Sequence, residues 1–182
     1  MPEDRFTRRD VAALAGTAAA LLGATSAMAQ TEIAGEISHA NAAIHQEVSF
    51  TANPARLYRA LTVSDAFDKV VRLSAAMNSG MKKVLGSAPT MIDAQPGGAF
   101  SLFGGYITGR FLELHPDTRI VQAWRAASWN TGLFSVAHFV LMPWENGTKL
   151  VFDHTGFPNE AAEHLAQGWH INYWKPLAKS LA

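Results

Sequence analysis

The 182-residue sequence contains no cysteine. That absence excludes disulfides, thiolate metal sites, iron–sulfur clusters and a cysteine nucleophile. It also lacks an excess of charge of either sign, since 15 basic and 15 acidic residues give a formal net charge of zero. Beyond residue 29, Lys82-Lys83 is the only pair of adjacent basic residues. Because nucleic-acid binding requires a basic face, we do not expect a nucleic-acid partner.

Long apolar runs are scarce, and the principal one lies near the N-terminus. It extends from Val11 to Ala24, follows Arg8-Arg9 and precedes the small-x-small sequence Ala27-Met28-Ala29. The run is too short and too rich in alanine for the roughly 20 strongly apolar residues of a membrane span. We therefore predict a twin-arginine signal peptide over 1–29, and a periplasmic or secreted location. No later apolar run is long enough to span a membrane.

After a predicted flexible lead-in over 30–43, one domain is expected over 44–182. Alternation of apolar and polar residues predicts a first strand over Ile44–Thr51. Asn53 and Pro54 indicate a helix start. Ser64 is expected to cap a second helix, interrupted at Asn78-Ser79-Gly80.

The following part of the sequence predicts about six strands joined by turns. Turns are indicated at Gln95-Pro96-Gly97-Gly98 and Gly104-Gly105, and Asn146-Gly147 predicts a hairpin between the last two strands. Asp153 and His154 should face opposite sides of the last strand, because successive side chains alternate.

A long helix is predicted from Asn159, as its cap, to about Leu181. Its apolar residues recur every four positions and form one broad stripe: Ala161, Leu165, Trp169, Tyr173, Leu177 and Leu181. Pro176 should bend this helix, since it lacks an N–H and crowds the preceding turn. The order of elements predicts an α+β fold in which a curved antiparallel sheet wraps round the C-terminal helix, with two short helices after the first strand.

Several short motifs carry a family resemblance that extends over residues 44–181. They are Ser49-Phe50-Thr51-Ala52, Leu57-Tyr58-Arg59-Ala60-Leu61-Thr62, Gly97-Gly98-Ala99-Phe100, Gly109-Arg110-Phe111-Leu112-Glu113-Leu114, Ile120-Val121-Gln122-Ala123-Trp124-Arg125, Gly147-Thr148-Lys149-Leu150, His154-Thr155-Gly156-Phe157-Pro158, Gly168-Trp169 and Tyr173-Trp174. The sequence resembles the START-like or SRPBCC superfamily, the helix-grip fold, and within it the group named after the C-terminal domain of the activator of Hsp90 ATPase. The superfamily includes lipid carriers, hormone receptors, cyclases and co-chaperone modules, so the resemblance implies fold more than function.

Two departures from the Hsp90 activators affect what the resemblance implies. Those proteins carry a separate chaperone-binding domain before this one, for which we expect no residues here. Their chaperone is also cytosolic, whereas export is predicted for this chain, so Hsp90 is not expected as a partner. The stretch from Lys69 to Thr90 matches the family poorly.

The resemblance implies a cavity between the sheet and the C-terminal helix. Its candidate ligand-binding residues are Trp124, Trp129, Phe139, Phe152, His154, Trp169 and Tyr173. An aromatic surface with few polar groups is typical of a small-molecule pocket, although aromatic residues at helical spacing also form ordinary cores. We predict no cofactor and no metal, because His164 and His170 are six residues apart on the helix, without a cysteine or carboxylate cluster.

His154 matches the histidine of the family's His-x-Gly-x-Pro pattern, and two roles are open for it. It could hydrogen-bond a ligand or act as a base, or it could hold the turn between strand and helix. The first hypothesis is therefore a carrier or binding protein for a small hydrophobic molecule. The alternatives are a cyclase- or hydratase-like enzyme that uses His154 as acid–base, with Trp124 and Tyr173 shaping its pocket, and a protein-interaction module with a shallow cavity.

Overall fold

The computed structural model describes residues 43–79, 85 and 87–182. The predicted signal peptide and nearly all of the predicted lead-in lie outside the described residues, as do Gly80 and Lys82-Lys83. Among the described residues, no helix is long and apolar enough to cross a membrane.

The order of elements agrees with the predicted α+β architecture. The strands are β1 (Ala43–Phe50), β2 (Met91–Ile92), β3 (Ala99–Leu102), β4 (Ile107–His115), β5 (Arg119–Ala126), β6 (Ser135–Trp144) and β7 (Gly147–Thr155). Three helices follow β1: α1 (Pro54–Thr62), α2 (Ser64–Leu73) and α3 (Ala75–Asn78). The C-terminal helix comprises a 3-10 turn (Asn159–Ala161), α4 (Ala162–Trp169), a π-helical turn (His170–Trp174) and α5 (Lys175–Leu181).

The seven strands form one antiparallel sheet in the order β1-β7-β6-β5-β4-β3-β2. The last hairpin is confirmed, but its connecting residues are Glu145 and Asn146, while Gly147 already pairs with Trp144 in the sheet. A side chain on Gly147 would overlap the carbonyl oxygen of Phe50. This glycine is therefore required by the close approach of the end of β1 and not by the turn alone.

The two faces of the sheet follow the predicted alternation. On the inner face, Phe139 of β6 is paired with Phe152 of β7, and both are buried beneath the C-terminal helix. His154 is also buried, whereas its neighbour Asp153 lies on the outer face, where a carboxylate oxygen is 2.7 Å from Nδ1 of His45. The opposite orientations of Asp153 and His154 confirm the prediction.

The helix starts were predicted with mixed success. Asn53 caps α1 as expected, because its Oδ1 accepts a hydrogen bond from the Arg56 N–H at 2.9 Å. The prediction that Ser64 caps α2 is wrong, since Val63 occupies that position. The Ser64 hydroxyl oxygen instead accepts a hydrogen bond from the N–H of Ile92 at 3.0 Å, and so joins α2 to β2.

The C-terminal helix differs from the prediction at its start and in its middle. It begins at Asn159 with Pro158 before it, so Asn159 is not its cap. Ahead of Pro176, the N–H of Lys175 bonds to the carbonyl of His170, five residues back. Pro176 has no N–H to donate to the preceding turn. The helix is widened by the π-helical turn immediately before this proline.

The π-helical turn brings two tryptophans five residues apart onto the buried side of the helix. The rings of Trp169 and Trp174 are stacked with their centroids 5.5 Å apart and their planes 18° from parallel. The side chain of Gln46 on β1 secures the arrangement: its Oε1 accepts from the Trp174 indole N–H at 2.5 Å and its Nε2 donates to the Ala166 carbonyl at 2.9 Å. A polar residue on the inner face of β1 thus joins the sheet to the helix.

Candidate ligand cavity

A cavity of about 430 Å³ lies between the C-terminal helix, α3 and the β3–β5 side of the sheet. Its deeper part is apolar and is formed by Leu85, Phe103, Ile107, Trp124, Trp169 and Tyr173. Ile107 and Trp124 belong to the sheet, and Trp169 and Tyr173 belong to the C-terminal helix. The cavity is therefore a product of the architecture.

More polar residues lie on the outer part of the cavity. Ser128 and His164 are exposed, and Gln167 is exposed on the helix nearby. The Tyr106 hydroxyl donates to the Ser128 hydroxyl oxygen at 3.1 Å. Across the cavity, the Asn172 Oδ1 accepts from the Ala76 N–H at 2.8 Å and thereby ties α3 to the C-terminal helix.

None of the described residues lining the cavity is Asp, Glu, Lys or Arg. A charged ligand would therefore lose its hydration without gaining an ion pair, which costs several kcal/mol per ion. Neutral molecules with large apolar surfaces carry no such penalty. The lining consequently favours an uncharged, mainly apolar occupant.

The structure brings four of the seven candidate residues to the cavity wall: Trp124, Trp129, Trp169 and Tyr173. Trp124 and Trp129 meet edge to face with their centroids 5.3 Å apart, and Trp169 lies 4.2 Å from Tyr173. Together these rings give the cavity two aromatic walls, one from the sheet and its following turn and one from the helix.

The other three candidates, Phe139, Phe152 and His154, lie behind the wall and contact Trp169. The centroid of Trp169 is 5.9 Å from that of Phe139, 4.4 Å from Phe152 and 5.5 Å from His154. None of these three residues lines the cavity. They support the ring that does.

His154 is fully buried and both of its ring nitrogens have partners. The Trp169 indole N–H donates to Nδ1 at 3.0 Å, and Nε2 is 2.7 Å from the Ser135 hydroxyl oxygen. The Ser135 hydroxyl donates its only hydrogen to the Trp124 carbonyl at 2.9 Å. Because an indole N–H can only donate, Nδ1 carries no proton, and Nε2–H must donate to Ser135. The network therefore holds neutral His154 in the Nε2–H tautomer.

The surroundings of His154 also set its protonation. Burial lowers the pKa of His154 from 6.5 to about 3, because the charged imidazolium would lose its hydration in an apolar environment. A general base needs a free nitrogen within reach of a reacting group, and here both nitrogens bond to protein atoms. The His154 ring therefore positions Trp169, and through Ser135 it also links β7 to β6 and β5.

Two buried polar atoms on the cavity wall have no hydrogen-bond partner among the described residues, the Trp124 indole nitrogen and the Tyr173 hydroxyl. Burial raises the pKa of Tyr173 above its ordinary value, and the nearby Trp124 indole opposes this rise without forming a well-shaped hydrogen bond. Tyr173 is therefore a neutral phenol at physiological pH.

The sequence did not indicate several residues that line the cavity. Leu85 and the alanines of α3 fall in the stretch that matches the family poorly, and Phe103 enters the cavity from a left-handed backbone with φ of 50° that no local pattern predicts. For Gly168 the sequence leaves a packing contact, a helix kink and room for a ligand all open, and in the structure this glycine lines the cavity.

Metal ligands are not gathered in the part of the chain that the structure describes. No group of three or more His, Cys, Asp or Glu side chains occurs there in an arrangement that would hold a metal ion. His164 lines the cavity, but none of the described residues that line it with His164 is a carboxylate.

The curved antiparallel sheet and the long helix that it grips define a helix-grip protein of the SRPBCC type. The chain belongs to the family described as Activator of Hsp90 ATPase homolog 1-like protein, which matches residues 51–182. The resemblance stated from the motifs is thereby confirmed at the level of the family and of the fold.

Individual relatives show the same domain within longer proteins. The human activator of 90 kDa heat shock protein ATPase homolog 1 is 26% identical over 132 residues, which are 72% of this chain and 35% of the human protein. The Dictyostelium discoideum homologue is 29% identical over 109 residues, covering 59% of this chain and 27% of that protein. The match thus spans about a quarter to a third of the length of these curated relatives.

Among solved structures, an Hsp90 activator from Plasmodium falciparum is similar with a TM-score of 0.60. Its sequence identity to this chain is 26%, and the match covers 72% of this chain and 89% of that one. The similarity extends over nearly the whole of the described domain.

Proposed function

We propose that this protein is exported by the twin-arginine route and that it binds or carries a small, neutral, hydrophobic or aromatic molecule in the cavity between sheet and helix. The observation that carries the proposal is the cavity itself, about 430 Å³ in volume, whose deeper part is apolar and whose described lining residues include no Asp, Glu, Lys or Arg.

The composition of the cavity supports the same class of ligand. Small-molecule sites commonly measure about 300–1,000 Å³ and are lined by apolar and aromatic side chains with a few polar groups. Here Trp124, Trp129, Trp169 and Tyr173 supply the aromatic surface. An aromatic ligand could pack against these rings in edge-to-face or offset geometry.

The geometry of His154 does not favour the enzymatic alternative. A cyclase or hydratase would need an acid–base group that reaches the substrate, whereas both nitrogens of His154 are held by Trp169 and Ser135 behind the cavity wall. The names of the relatives describe activation of the ATPase of a 90 kDa heat shock protein. We do not extend that activity to this chain, because the proposed export would separate it from a cytosolic chaperone.

Ligand binding can be tested by recording the indole N–H signals of the five tryptophans in a ¹⁵N–¹H spectrum. The neutral probe N-phenyl-1-naphthylamine should shift the signals of Trp124, Trp129 and Trp169, because these residues line the cavity. The signal of Trp144, which is 51% exposed and lies outside the cavity, serves as the internal control.

The assignment of each signal follows from single Trp→Phe variants. Saturable shifts confined to the three cavity tryptophans would support the proposal. An unchanged spectrum at the solubility limit of the probe, or a shift of the Trp144 signal alone, would contradict binding in the cavity. Mass spectrometry of the protein after incubation with a lipid extract would then identify a natural occupant.

Export is tested separately, in a bacterial host. We expect the mature protein in the periplasmic fraction, with a new N-terminus at Gln30. Replacing Arg8 and Arg9 together by lysine should retain the precursor in the cytoplasm, while replacing Arg5 by lysine should leave export intact. Equal export of both variants would exclude the twin-arginine route.

A further inference from the structure

We infer that Gly168 keeps the cavity open. Because glycine has no side chain, the space beside this residue is free, and the ring system of the ligand occupies it. This inference rests on the proposed ligand site and specifies its shape. It makes residue 168 the position that determines which ligands fit, and it assigns the ligand to the class of neutral ring compounds.

The position of Gly168 on the helix supports the inference. Residues three and four positions away on a helix share its face, and His164, Leu165, Ile171 and Asn172 all line the cavity. Gly168 therefore lies at the centre of the helix face that borders the cavity. A side chain at this position would point into the space between these four residues.

The space around Gly168 is open. A Cβ atom built on it would meet no heavy atom of the described residues within 4 Å outside its own helix turn. Gly109 and Gly147 differ, because a Cβ on the former would overlap the Ala123 carbonyl oxygen and one on the latter the Phe50 carbonyl oxygen. Close packing thus explains those two glycines and does not explain Gly168.

Backbone conformation does not explain Gly168 either. It lies within α4, Ala162–Trp169, and has no left-handed φ of the kind that favours glycine. Glycine inside a helix is destabilising relative to alanine, because its backbone loses more freedom on folding. Neither close packing nor backbone conformation therefore explains the glycine at position 168. What glycine provides here is the open volume beside the helix.

The aromatic residues nearby indicate what this volume accepts. Trp169 follows Gly168 directly, and Trp124 and Trp129 lie on the sheet side of the same cavity. A ring compound in the space left by Gly168 would contact aromatic faces and edges on both sides. The described residues of the lining include no Asp, Glu, Lys or Arg, which favours neutral molecules.

The inference is tested with Gly168→Ala, Gly168→Phe and the matched control Ala178→Phe. Ala178 is exposed on the same C-terminal helix and does not line the cavity. Gly168→Ala should raise the midpoint of thermal unfolding by about 2–4 °C, since it adds helix propensity without a clash. Gly168→Phe should weaken binding of N-phenyl-1-naphthylamine at least tenfold, whereas Ala178→Phe should bind it as the unsubstituted protein does.

A readout without ligand keeps this test separate from that of the proposed function. The phenyl ring of Gly168→Phe should shift the indole signals of Trp124 and Trp129 by its ring current, while Ala178→Phe leaves them in place. If the unsubstituted protein binds no probe, the proposed function fails, and the indole shifts still decide whether residue 168 points into the cavity. Unchanged indole signals in Gly168→Phe, undiminished probe binding by that variant, or a lower unfolding midpoint in Gly168→Ala would each overturn the inference.

Discussion

Acid should destabilise this protein through His154, and the size of the effect follows from its burial. The folded protein holds the ring neutral, with a pKa of about 3, while the unfolded chain protonates it near 6.5. Below pH 6.5 the unfolded state therefore binds a proton that the folded state excludes, and stability falls until the pH reaches about 3. Each pH unit in this window corresponds to about 1.4 kcal/mol.

Between pH 6.5 and pH 4.5, His154 alone should then lower the free energy of unfolding by about 2 kcal/mol, a large share of the roughly 5–15 kcal/mol typical of a domain. The assay is urea unfolding followed by circular dichroism at several pH values. His154→Gln keeps a donor and an acceptor but does not titrate, so its free energy of unfolding should fall about 2 kcal/mol less over the same range.

A second substitution and a control separate titration from packing. His154→Phe keeps a ring but removes the acceptor of the Trp169 indole N–H, and should cost about 1–3 kcal/mol at pH 7 while also weakening the pH dependence. His170→Gln makes the same substitution at an exposed position of the same helix and is the matched control. If the free energy of unfolding fell equally with pH in the unsubstituted protein and in both His154 variants, the reasoning would be refuted.

Other substitutions test contacts that hold the fold, each by urea unfolding at pH 7. Asn53→Ala removes the side-chain cap of α1 and should cost about 1 kcal/mol, whereas Asn53→Asp should cost little. Gln46→Met strands the Trp174 indole N–H inside the protein and should cost about 1–3 kcal/mol; an unchanged midpoint would show that this N–H finds another partner. Gly147→Ala forces a methyl group against the Phe50 carbonyl and should cost at least 1 kcal/mol, and a gain in stability would contradict the close approach of β1.

The strands and the C-terminal helix could be predicted because their signals are local and repeat along the chain. Phe139 and Phe152 each belong to an alternating run, and their burial on one face follows from the period of a strand. The stripe that includes Trp169 and Tyr173 follows equally from helical spacing.

The features that were mispredicted depend on partners distant in sequence. The Ser64 hydroxyl was expected to cap its own helix, yet it bonds to the N–H of Ile92, 28 residues later. Cap propensity describes only the nearest turn, so it could not anticipate this competition. Likewise, the π-helical turn beside Pro176 depends on the fit of Trp169 and Trp174 against the sheet and on Gln46.

The candidate site was predictable only in part for the same reason. Sequence parity placed His154 with Phe152 on the inner face, which is correct, but could not distinguish a residue that lines a cavity from one that lies behind the lining. That difference depends on where Trp169 lies, because its ring separates His154 from the open space. The wall contributed by α3 was beyond prediction, since its sequence matches the family poorly.

The pairing of β1 with β7 has a consequence for how the chain acquires this fold. His45 and Asp153 are neighbours in the sheet although they are 108 residues apart. At translation rates of about 5–20 residues per second, the first strand waits roughly 5–20 s after its own synthesis before its partner exists. During that interval Ile44 and Phe50 of β1 lack the β7 strand with which they pair in the folded protein. Folding is therefore expected to finish only after almost the entire domain has left the ribosome, and a nascent-chain binding factor would have its longest opportunity at this strand.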